Sequence, residues 1–361
     1  MSELGSLLGE TVDRIFADHI TPAMREGPGL DAPASAGAAM WHAGPWDALE
    51  ANGLTKALVP EAQGGAGAAW DDVYKIAESV GRAAAPMPLG ETIVAHALLS
   101  HLTAEVPLGP LTIVADGSGL TLTEQGNKWT VQGTAKRIPW GRHAGYALAA
   151  LPANGSVFLV LLPQPAADMD IEHNLAGEPR DTFTFDGAQV DAFECIDMDA
   201  DVLLRCGALL RVAQATGAMS SVQSRALAYA SERVQFGRAL AKFQTIQHYL
   251  ADLACHSAQA EVAASAAFRA MDGGGCEFEV AEAKVVVGEA IELATRIGHQ
   301  IHGAIGFTAE HDLHYFTQRL WSWKAEFGST AFWAERLGRA ALARGADKLW
   351  SDITDRQAYR Q

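Results

Sequence analysis

The sequence has little cysteine and no long uninterrupted apolar run. Only four cysteines occur in 361 residues, far apart and without a CxxC pair, so neither a disulfide framework nor a zinc knuckle is indicated. The most apolar stretch, 145–163, is broken by Pro152, Asn154 and Gly155, and is too interrupted for a membrane-spanning helix. The first residues lack the basic region and apolar run of a secretory signal. These absences predict a cytoplasmic protein that does not enter a membrane.

Basic residues are also scarce relative to acidic ones. The chain carries 27 Lys and Arg against 43 Asp and Glu, a formal net charge of −16. Nucleic acid and anionic membranes are repelled by such a protein on average, so we expect neither as a partner. Hydrophobic residues make up 49% and charged residues 19%, which is typical of a globular chain with a large core.

Several common functional motifs are missing. There is no GxGxxG, GxxxxGK[ST] or GxSxG, which argues against a Rossmann dinucleotide site, a P-loop and a nucleophile-elbow hydrolase. His299/His302 and His311/His314 each have the three-residue spacing that places two rings on one helix face. No carboxylate accompanies them in an ExxH arrangement, so we predict helix packing for these rings and no metal site.

Hydrophobic periodicity divides the chain into three zones. Residues 2–103 follow a helical pattern, with one clear run at 70–84. Short β-rich runs separated by turn residues fill 106–197, at 111–115, 119–123, 128–132, 146–151 and 157–162, the spacing of a small antiparallel barrel or sandwich. Beyond 198, long Ala-rich stretches carry apolar stripes typical of packed helices. We therefore predict domains at 1–105, 106–197 and 198–361.

Two segments of the last zone combine residue types that seldom cluster for packing alone. The first runs from Tyr229 to Gly237 (YASERVQFG) and is followed by Phe243 and Gln244; the second is 298–308 (GHQIHGAIGFT). Taken singly, each residue has an ordinary structural explanation, such as a helix-end cation, a core aromatic or a helix stop.

Together and in order, the segments resemble the acyl-CoA dehydrogenase family, which carries an ERxxFG…FQ stretch and a QxxGGxGY/F stretch on bundle helices. Residues 58–65 (LVPEAQGG) are similar to the VPEEYGG stretch of that family. The resemblance implies an α+β multidomain fold with an N-terminal α-helical domain, a middle antiparallel β-barrel domain and a C-terminal four-helix bundle.

The resemblance also implies a reaction. Family members oxidise an acyl-CoA thioester to its α,β-enoyl form: a carboxylate removes the α proton and the β hydride passes to N5 of FAD. An electron-transferring flavoprotein is the implied electron acceptor.

In this family each FAD lies across a subunit interface, with the ring on one chain's β domain and the rest of the dinucleotide on the neighbour's bundle. A guanidinium suits the diphosphate because it offers two N–H donors, and glycine permits close approach of the backbone. By matching motifs, the FAD-binding residues implied here are Arg233, Gln235, Phe236 and Gln244 at one end of the dinucleotide and Gln300 and Gly303 at the other.

This sequence lacks the two stretches that bind the flavin ring in the family. The family's TEPxxGSD-type stretch corresponds to 114–120 (VADGSGL), and its WITN-type stretch to 132–140 (QGTAKRIPW). Arg137 and Pro139 stand where the tryptophan and threonine of the second stretch would be, and proline offers no N–H donor. Ring binding by this chain is therefore not predicted.

The family's catalytic carboxylate is also absent. Counting forward from Gly306, its most frequent position falls on Phe327, and the position used by a minority of members falls near Cys206, Gly207 and Ala208, none of which is a carboxylate. Glu326 is one residue from the first position, but one step along a helix turns a side chain by about 100°, so on a helix it would point elsewhere.

Three hypotheses follow. In the first, the chain is the base-lacking partner in an α2β2 acyl-CoA dehydrogenase, a kind of enzyme known for bulky CoA esters including steroid side chains, and it completes the FAD site of a homologous catalytic subunit. In the second, it is a self-sufficient homotetrameric dehydrogenase with Glu326 or Asp312 as a displaced base. In the third, it is a flavin-free structural scaffold.

Overall fold

The computed structural model describes residues 2–27, 40–102, 105–126, 128–165, 169–196, 198–274 and 277–354. Its first part is helical. The helix at Trp70–Ala83 (α4) illustrates why this part is helical, because Val73, Ile76 and Val80 recur at helical spacing and are all buried. The run predicted at 70–84 forms α4 almost in full. The helices are α1 (Glu3–His19), α2 (Pro22–Arg25), α3 (Ala43–Ala51), α4 (Trp70–Ala83) and α5 (Leu89–Ser100).

The middle part is one seven-stranded sheet with the order β1-β4-β5-β7-β3-β2, in which β6 pairs with β7. Its pairs are antiparallel except that β1 runs parallel to β4. The expected barrel is wrong in this respect: within the described strands, β1 and β2 form open edges and the sheet does not close. The strands are β1 (Leu111–Ile113), β2 (Leu120–Gln125), β3 (Lys128–Pro139), β4 (Tyr146–Ala153), β5 (Ser156–Pro163), β6 (Met169–Asp170) and β7 (Arg180–Cys195).

The apolar stretch at 145–163 is the β4–β5 hairpin, which is buried on both faces. Ala149 and Val160 pack into the core of the sheet itself. Their strand neighbours Leu148 and Leu159 face the opposite way, into the core formed with the helices. Burial on both faces accounts for the near-continuous apolar sequence. In the part of the chain that the structure describes, no helix has the length and apolar character needed to cross a membrane.

The last part is helical again and forms the predicted bundle. α6 is its centre, packing against α7, α8 and α9 and also against α4 of the first part. The α4–α6 crossing is close because Gly81 lies on the backbone of Gln214 and Gly217 on that of Glu78. The elements are α6 (Val202–Glu232), β8 (Val234–Gln235), β9 (Arg238–Ala239), α7 (Gln244–Asp272), α8 (Glu277–His302), α9 (Leu313–Ala325), α10 (Thr330–Arg344) and α11 (Leu349–Thr354).

The changes from helix to strand and back fall between Ser100 and Leu111 and between Cys195 and Val202. The predicted domain limits at 105 and 197 lie within these two connections and stay predictions. The middle sheet thus sits between helical segments that precede and follow it in the chain.

Candidate functional site

The segment after α6 forms a small exposed hairpin. β8 and β9 pair around a turn in which Phe236 and Gly237 have φ of 54° and 80°, values suited to a tight two-residue hairpin. The Phe236 ring is 90% exposed and meets Phe243 edge to face at 6.2 Å between centroids. The Arg233 side chain is exposed and makes no hydrogen bond or ion pair within the described ranges. This hairpin therefore presents an aromatic ring and a guanidinium to solvent.

The end of α8 lies at the same end of the bundle as this hairpin. Tyr229, in the last turn of α6, packs on the ring of His302 at 4.8 Å, and this contact joins the two helix ends. Gln300 and Gly303 are exposed on the surface of α8 and the turn that follows it. The six predicted FAD-binding residues therefore lie at one end of the bundle, and all of them are exposed: Arg233, Gln235, Phe236, Gln244, Gln300 and Gly303.

A groove of about 510 Å³ contains Gln300 and Gly303. Aromatic rings form part of its wall: His299 stacks on Phe307 at 4.3 Å between centroids and is nearly parallel to Trp321 at 5.7 Å. Sequence reasoning missed Trp321, because nothing in its local sequence indicates that α9 turns this ring toward α8. Flat aromatic surfaces beside an exposed amide suit a planar heterocycle.

A second cleft, of about 420 Å³, lies between the sheet and the bundle. It brings together the two stretches matched to the family's ring-binding motifs, which lie at the paired strands β2 and β3, and adds the connection between α9 and α10, which is distant in sequence. Its lining includes Asp116, Ser118, Lys136, Arg137, Pro139, Arg180, Glu326 and Phe327. This is the place where the family resemblance puts the reaction.

The two positions predicted for a catalytic carboxylate meet in space. Gly207 of α6 contacts the ring of Phe327, and a β-carbon at Gly207 would overlap that ring. Phe327 is buried, adopts φ of 51° and is followed by Gly328 at 87°, so a left-handed turn directs it inward. Neither residue has a group that accepts a proton, and the ring fills the space between them.

Glu326 does line the cleft, contrary to the expectation for a helical neighbour. α9 ends at Ala325 and Glu326 is extended (ψ 147°), so the 100° step of a helix does not apply. Its carboxylate accepts hydrogen bonds from Arg180 Nε (2.8 Å), Arg211 Nε (2.7 Å) and Asn174 Nδ2 (3.0 Å). Burial alone would raise its pKa, but the two guanidinium charges and the hydrogen bonds outweigh burial and lower the pKa to about 2. Such a carboxylate is a weak base.

These charges belong to a buried network that joins all three parts of the chain. Arg211 of α6 also donates to Glu91 of α5 (2.7 Å), and Arg180 of β7 donates to Glu178 (2.9 Å). Sequence analysis identified none of these pairs, because they occur in no motif and because Arg211 is 120 residues from Glu91 and 115 from Glu326.

Lys284 of α8 reaches the same region from the bundle side. Its ammonium donates to the carbonyl oxygen of Glu326 at 2.8 Å and to those of Trp323 and Lys324 at 3.4 Å, where α9 ends. Burial lowers the pKa of Lys284 to about 7, with the Arg211 charge acting in the same direction and Glu326 opposing it. Lys284 thus holds the backbone that leads into Phe327.

Asp312, the other displaced base considered from sequence, lies near the end of α8, beside His311. Arg225 donates to both its carboxylate oxygens, at 2.8 and 2.6 Å. Burial alone would raise the Asp312 pKa, but the hydrogen bonds and charge of Arg225 lower it on balance. Nearby, the His302 and His311 rings are 4.5 Å apart. Among the described residues, no three His, Cys, Asp or Glu side chains group as metal ligands.

The family model described as the acyl-CoA dehydrogenase C-terminal domain matches residues 201–342, from the start of α6 into α10, and so includes both segments that carry the resemblance, 229–237 and 298–308. This segment, which is less than half of the chain, is an acyl-CoA dehydrogenase C-terminal domain. Members of this family are oxidoreductases that act on CH–CH bonds and depend on FAD. The sequence resemblance is thereby confirmed at the level of the family.

Two curated relatives are acyl-CoA dehydrogenases of Mycobacterium tuberculosis. IpdE2 is 29% identical, over 87% of this chain and 89% of its own length. FadE34 is 29% identical over 84% of this chain, which spans only 43% of that longer relative.

Solved structures share the whole fold. The ChsE4–ChsE5 complex of Mycobacterium tuberculosis contains a chain with a TM-score of 0.83 at 20% identity, covering 94% of this chain and 97% of the other. A structure described as the Tcur3481–Tcur3483 steroid ACAD G363A variant has a TM-score of 0.82 at 22% identity, covering 93% of this chain and 96% of the other.

Proposed function

We propose that this chain is the base-lacking subunit of a heteromeric, FAD-dependent acyl-CoA dehydrogenase. In this role it completes the FAD site of a homologous catalytic subunit, as in an α2β2 assembly. The observation that carries the proposal is the contact of Phe327 with Gly207, because it fills both family positions for a base with groups that take no proton.

The end of the bundle that carries Arg233, Gln300 and Gly303, called the nucleotide end below, supports FAD binding. Arg233 is exposed with no protein partner among the described residues, and a guanidinium can bind a diphosphate through two N–H donors. A β-carbon at Gly303, where φ is 62°, would meet no atom within 4 Å and would extend into open space, so glycine leaves room for a ligand there. Gln300 supplies an amide beside the Phe307 ring.

The ring end does not support FAD binding by this chain. The cleft between the sheet and the bundle presents Arg137 and Pro139 where a ring-binding stretch would stand, and Phe327 where a base would stand. FAD, when bound at the nucleotide end, supplies the redox chemistry of the reaction. The contribution of this chain is then to bind and orient the dinucleotide whose ring lies on its partner.

The substrate, acceptor and location belong to the same proposal. We infer an acyl-CoA with a bulky, steroid-type acyl group, with support from the fold shared with a steroid ACAD. A separate electron-transferring flavoprotein is the expected acceptor. A cytoplasmic location is supported by the low cysteine content.

The experiment is co-expression with homologous acyl-CoA dehydrogenase subunits from the same genome. We expect little flavin absorbance in the chain alone, and bound FAD with acyl-CoA oxidation only in a co-purified complex. Within that complex, Arg233→Ala should lower the FAD content, whereas Arg339→Ala, an exposed arginine on α10, should not. Yellow, active protein from the single chain would overturn the proposal in favour of a self-sufficient enzyme.

The alternative of a flavin-free scaffold gives a different result. A scaffold has no use for the Arg233 guanidinium, so Arg233→Ala would leave both complex formation and flavin content unchanged. Equal FAD content in Arg233→Ala and wild-type complexes would therefore contradict the assignment of the nucleotide site.

A further inference from the structure

We propose that the cleft between the sheet and the bundle binds an anionic ligand with an apolar body, in place of a flavin ring. The ligand carries a carboxylate or phosphate group that Lys136 and Arg137 recognise, and its apolar part lies toward Phe327 and Pro139. This inference does not depend on the partner role proposed above, because it concerns a different site of the same chain.

The first argument is the backbone that places the two cations side by side. Successive side chains of a regular strand point to opposite faces, so Lys136 and Arg137 would not both be exposed. The β3–β7 pairing shifts between Ala135 and Ile138: three steps on β3 face two steps on β7. The extra residue is a β-bulge, a device that redirects a side chain near a functional site.

Burial along β3 agrees with this reading. Ala135 and Ile138 are both fully buried in the sheet core, whereas Lys136 and Arg137 between them are exposed in the cleft. Arg137 has φ of 56°, a left-handed conformation that is unfavourable for a residue with a side chain. Backbone strain of this kind concentrates at binding sites, where the surrounding structure holds it in place.

The second argument is the charge of the cleft. Neither Lys136 nor Arg137 has a hydrogen-bond or ion-pair partner among the described residues. Arg180 also lines the cleft, but its guanidinium is occupied by Glu178, Glu326 and a backbone carbonyl. Glu326 is in turn neutralised by Arg180 and Arg211.

Asp116 is then the remaining anion on the wall, and its Oδ1 already accepts the backbone N–H of Ser118 at 2.8 Å. Two adjacent cations face one carboxylate, in a chain whose net charge is −16. A locally positive cleft in an acidic protein attracts small anions and concentrates them.

The third argument is the rest of the lining. Ala115, Pro139, Ala325 and Phe327 supply an apolar surface, and the volume of about 420 Å³ is that of a small-molecule site. An isoalloxazine ring would meet a cation at Arg137 and no N–H donor at Pro139. An amphiphilic anion would satisfy both the cations and the apolar surface.

The test uses the full chain and isothermal titration calorimetry with four probes: decanoate, its neutral analogue decanamide, inorganic phosphate and FAD. We expect decanoate or phosphate to bind, and decanamide to bind at least about tenfold more weakly than decanoate, because it forms no charge-assisted hydrogen bonds. Binding of decanoate identifies a carboxylate ligand, and binding of phosphate alone identifies a phosphate ligand.

The variants separate this cleft from other cationic surfaces. The double variant Lys136→Gln/Arg137→Gln should weaken anion binding by about tenfold or more. Lys128→Gln, on the same strand but outside the cleft, is the matched control and should leave binding unchanged. Arg137→Gly relieves the positive φ, so it should fold at least as well as wild type and still lose affinity.

Several results would overturn the proposal. Equal binding of decanoate and decanamide would remove the role of the charge, and unchanged anion binding in the double variant would place the anion elsewhere. The single chain is also titrated with FAD. If FAD binds, and if that binding is abolished by Lys136→Gln/Arg137→Gln and kept in Arg233→Ala, the cleft is a flavin site and the proposal is wrong. Failure of the partner role is distinguishable, because it is read from the flavin content of the Arg233→Ala complex.

Discussion

The ring of Phe327 occupies the space that a β-carbon on Gly207 would need. The two residues come from the α9–α10 connection and from α6, and both lie at positions that the family resemblance predicts for a catalytic carboxylate. Arg211, one helical turn after Gly207, lies over the same ring at 5.2 Å. The ring is therefore held between α6 and the buried ion pairs, and this packing can be tested by mutation.

Gly207→Ala should destabilise the chain by about 2 kcal/mol, because the new methyl group forces the Phe327 ring out of its position. Phe327→Ala should cost about 3 kcal/mol through loss of burial and the cavity left behind. In the double variant the methyl group enters that cavity, so the two costs should fall short of additivity by about 1 kcal/mol or more. Urea unfolding of the four proteins gives the coupling, and additive costs would contradict the contact.

Part of this site could be predicted from the sequence. The count from Gly306 predicts Phe327 as one base position and the region of Cys206, Gly207 and Ala208 as the other, because motifs fix spacing along a chain, and both assignments stay predictions. Motifs do not show that the two positions meet across α6, which depends on the left-handed turn at Phe327. Helical periodicity located α4 to within one residue at its end, since its apolar stripe is regular.

Other features could not be predicted for physical reasons. β7, Arg180–Cys195, was not among the predicted strands: its exposed and buried residues change phase at the bulges shared with β3. Closure of the sheet was expected, but the described strands do not close. Alternation along a strand indicates which of its residues are buried, and it does not indicate which other strands pair with it. Arg180, Arg211 and Lys284 were missed because a single charged residue in sequence gives no sign of a distant partner.

Glu326→Gln should destabilise the chain by about 3 kcal/mol at neutral pH, because it removes the anion that the buried Arg180 and Arg211 share and leaves each with one carboxylate partner, Glu178 and Glu91 respectively. The folded pKa of Glu326, about 2, lies below its ordinary value of 4.5. Stability from the ionised carboxylate is thus fully present above pH 4.5 and is lost as the pH falls toward 2. The difference between wild type and variant, measured by chemical unfolding, should shrink across that interval.

The matched control for this prediction is Glu335→Gln, which removes an exposed carboxylate paired with Arg339 one turn away on α10. An exposed pair of this kind contributes about 0.5 kcal/mol or less. A similar cost for the two variants would contradict the role given to the buried network.

Gly217→Ala should be strongly destabilising, by about 3 kcal/mol or more, because its methyl group would overlap the backbone of Glu78 at the α4–α6 crossing. Gly338→Ala on α10 is the control: its β-carbon would meet nothing within 4 Å, so better helix propensity should stabilise the chain by up to about 1 kcal/mol. Opposite shifts of the melting temperature are expected, and a neutral Gly217→Ala would contradict the close crossing.

Lys284 should make stability depend on pH above neutrality. Its folded pKa of about 7 lies below its ordinary value of 10.5, so between these limits the unfolded chain binds a proton that the folded chain does not. The free energy of unfolding should therefore rise with pH in this window, by up to about 1.4 kcal/mol per pH unit.

Lys284→Met has no ionisable group at this position, so its free energy of unfolding should rise less steeply between pH 7 and 9. The exposed control Lys348→Met should keep the wild-type slope. Parallel profiles for Lys284→Met and wild type would show that the ammonium stays charged beneath the end of α9, and would require a compensating anion nearer to it than Glu326.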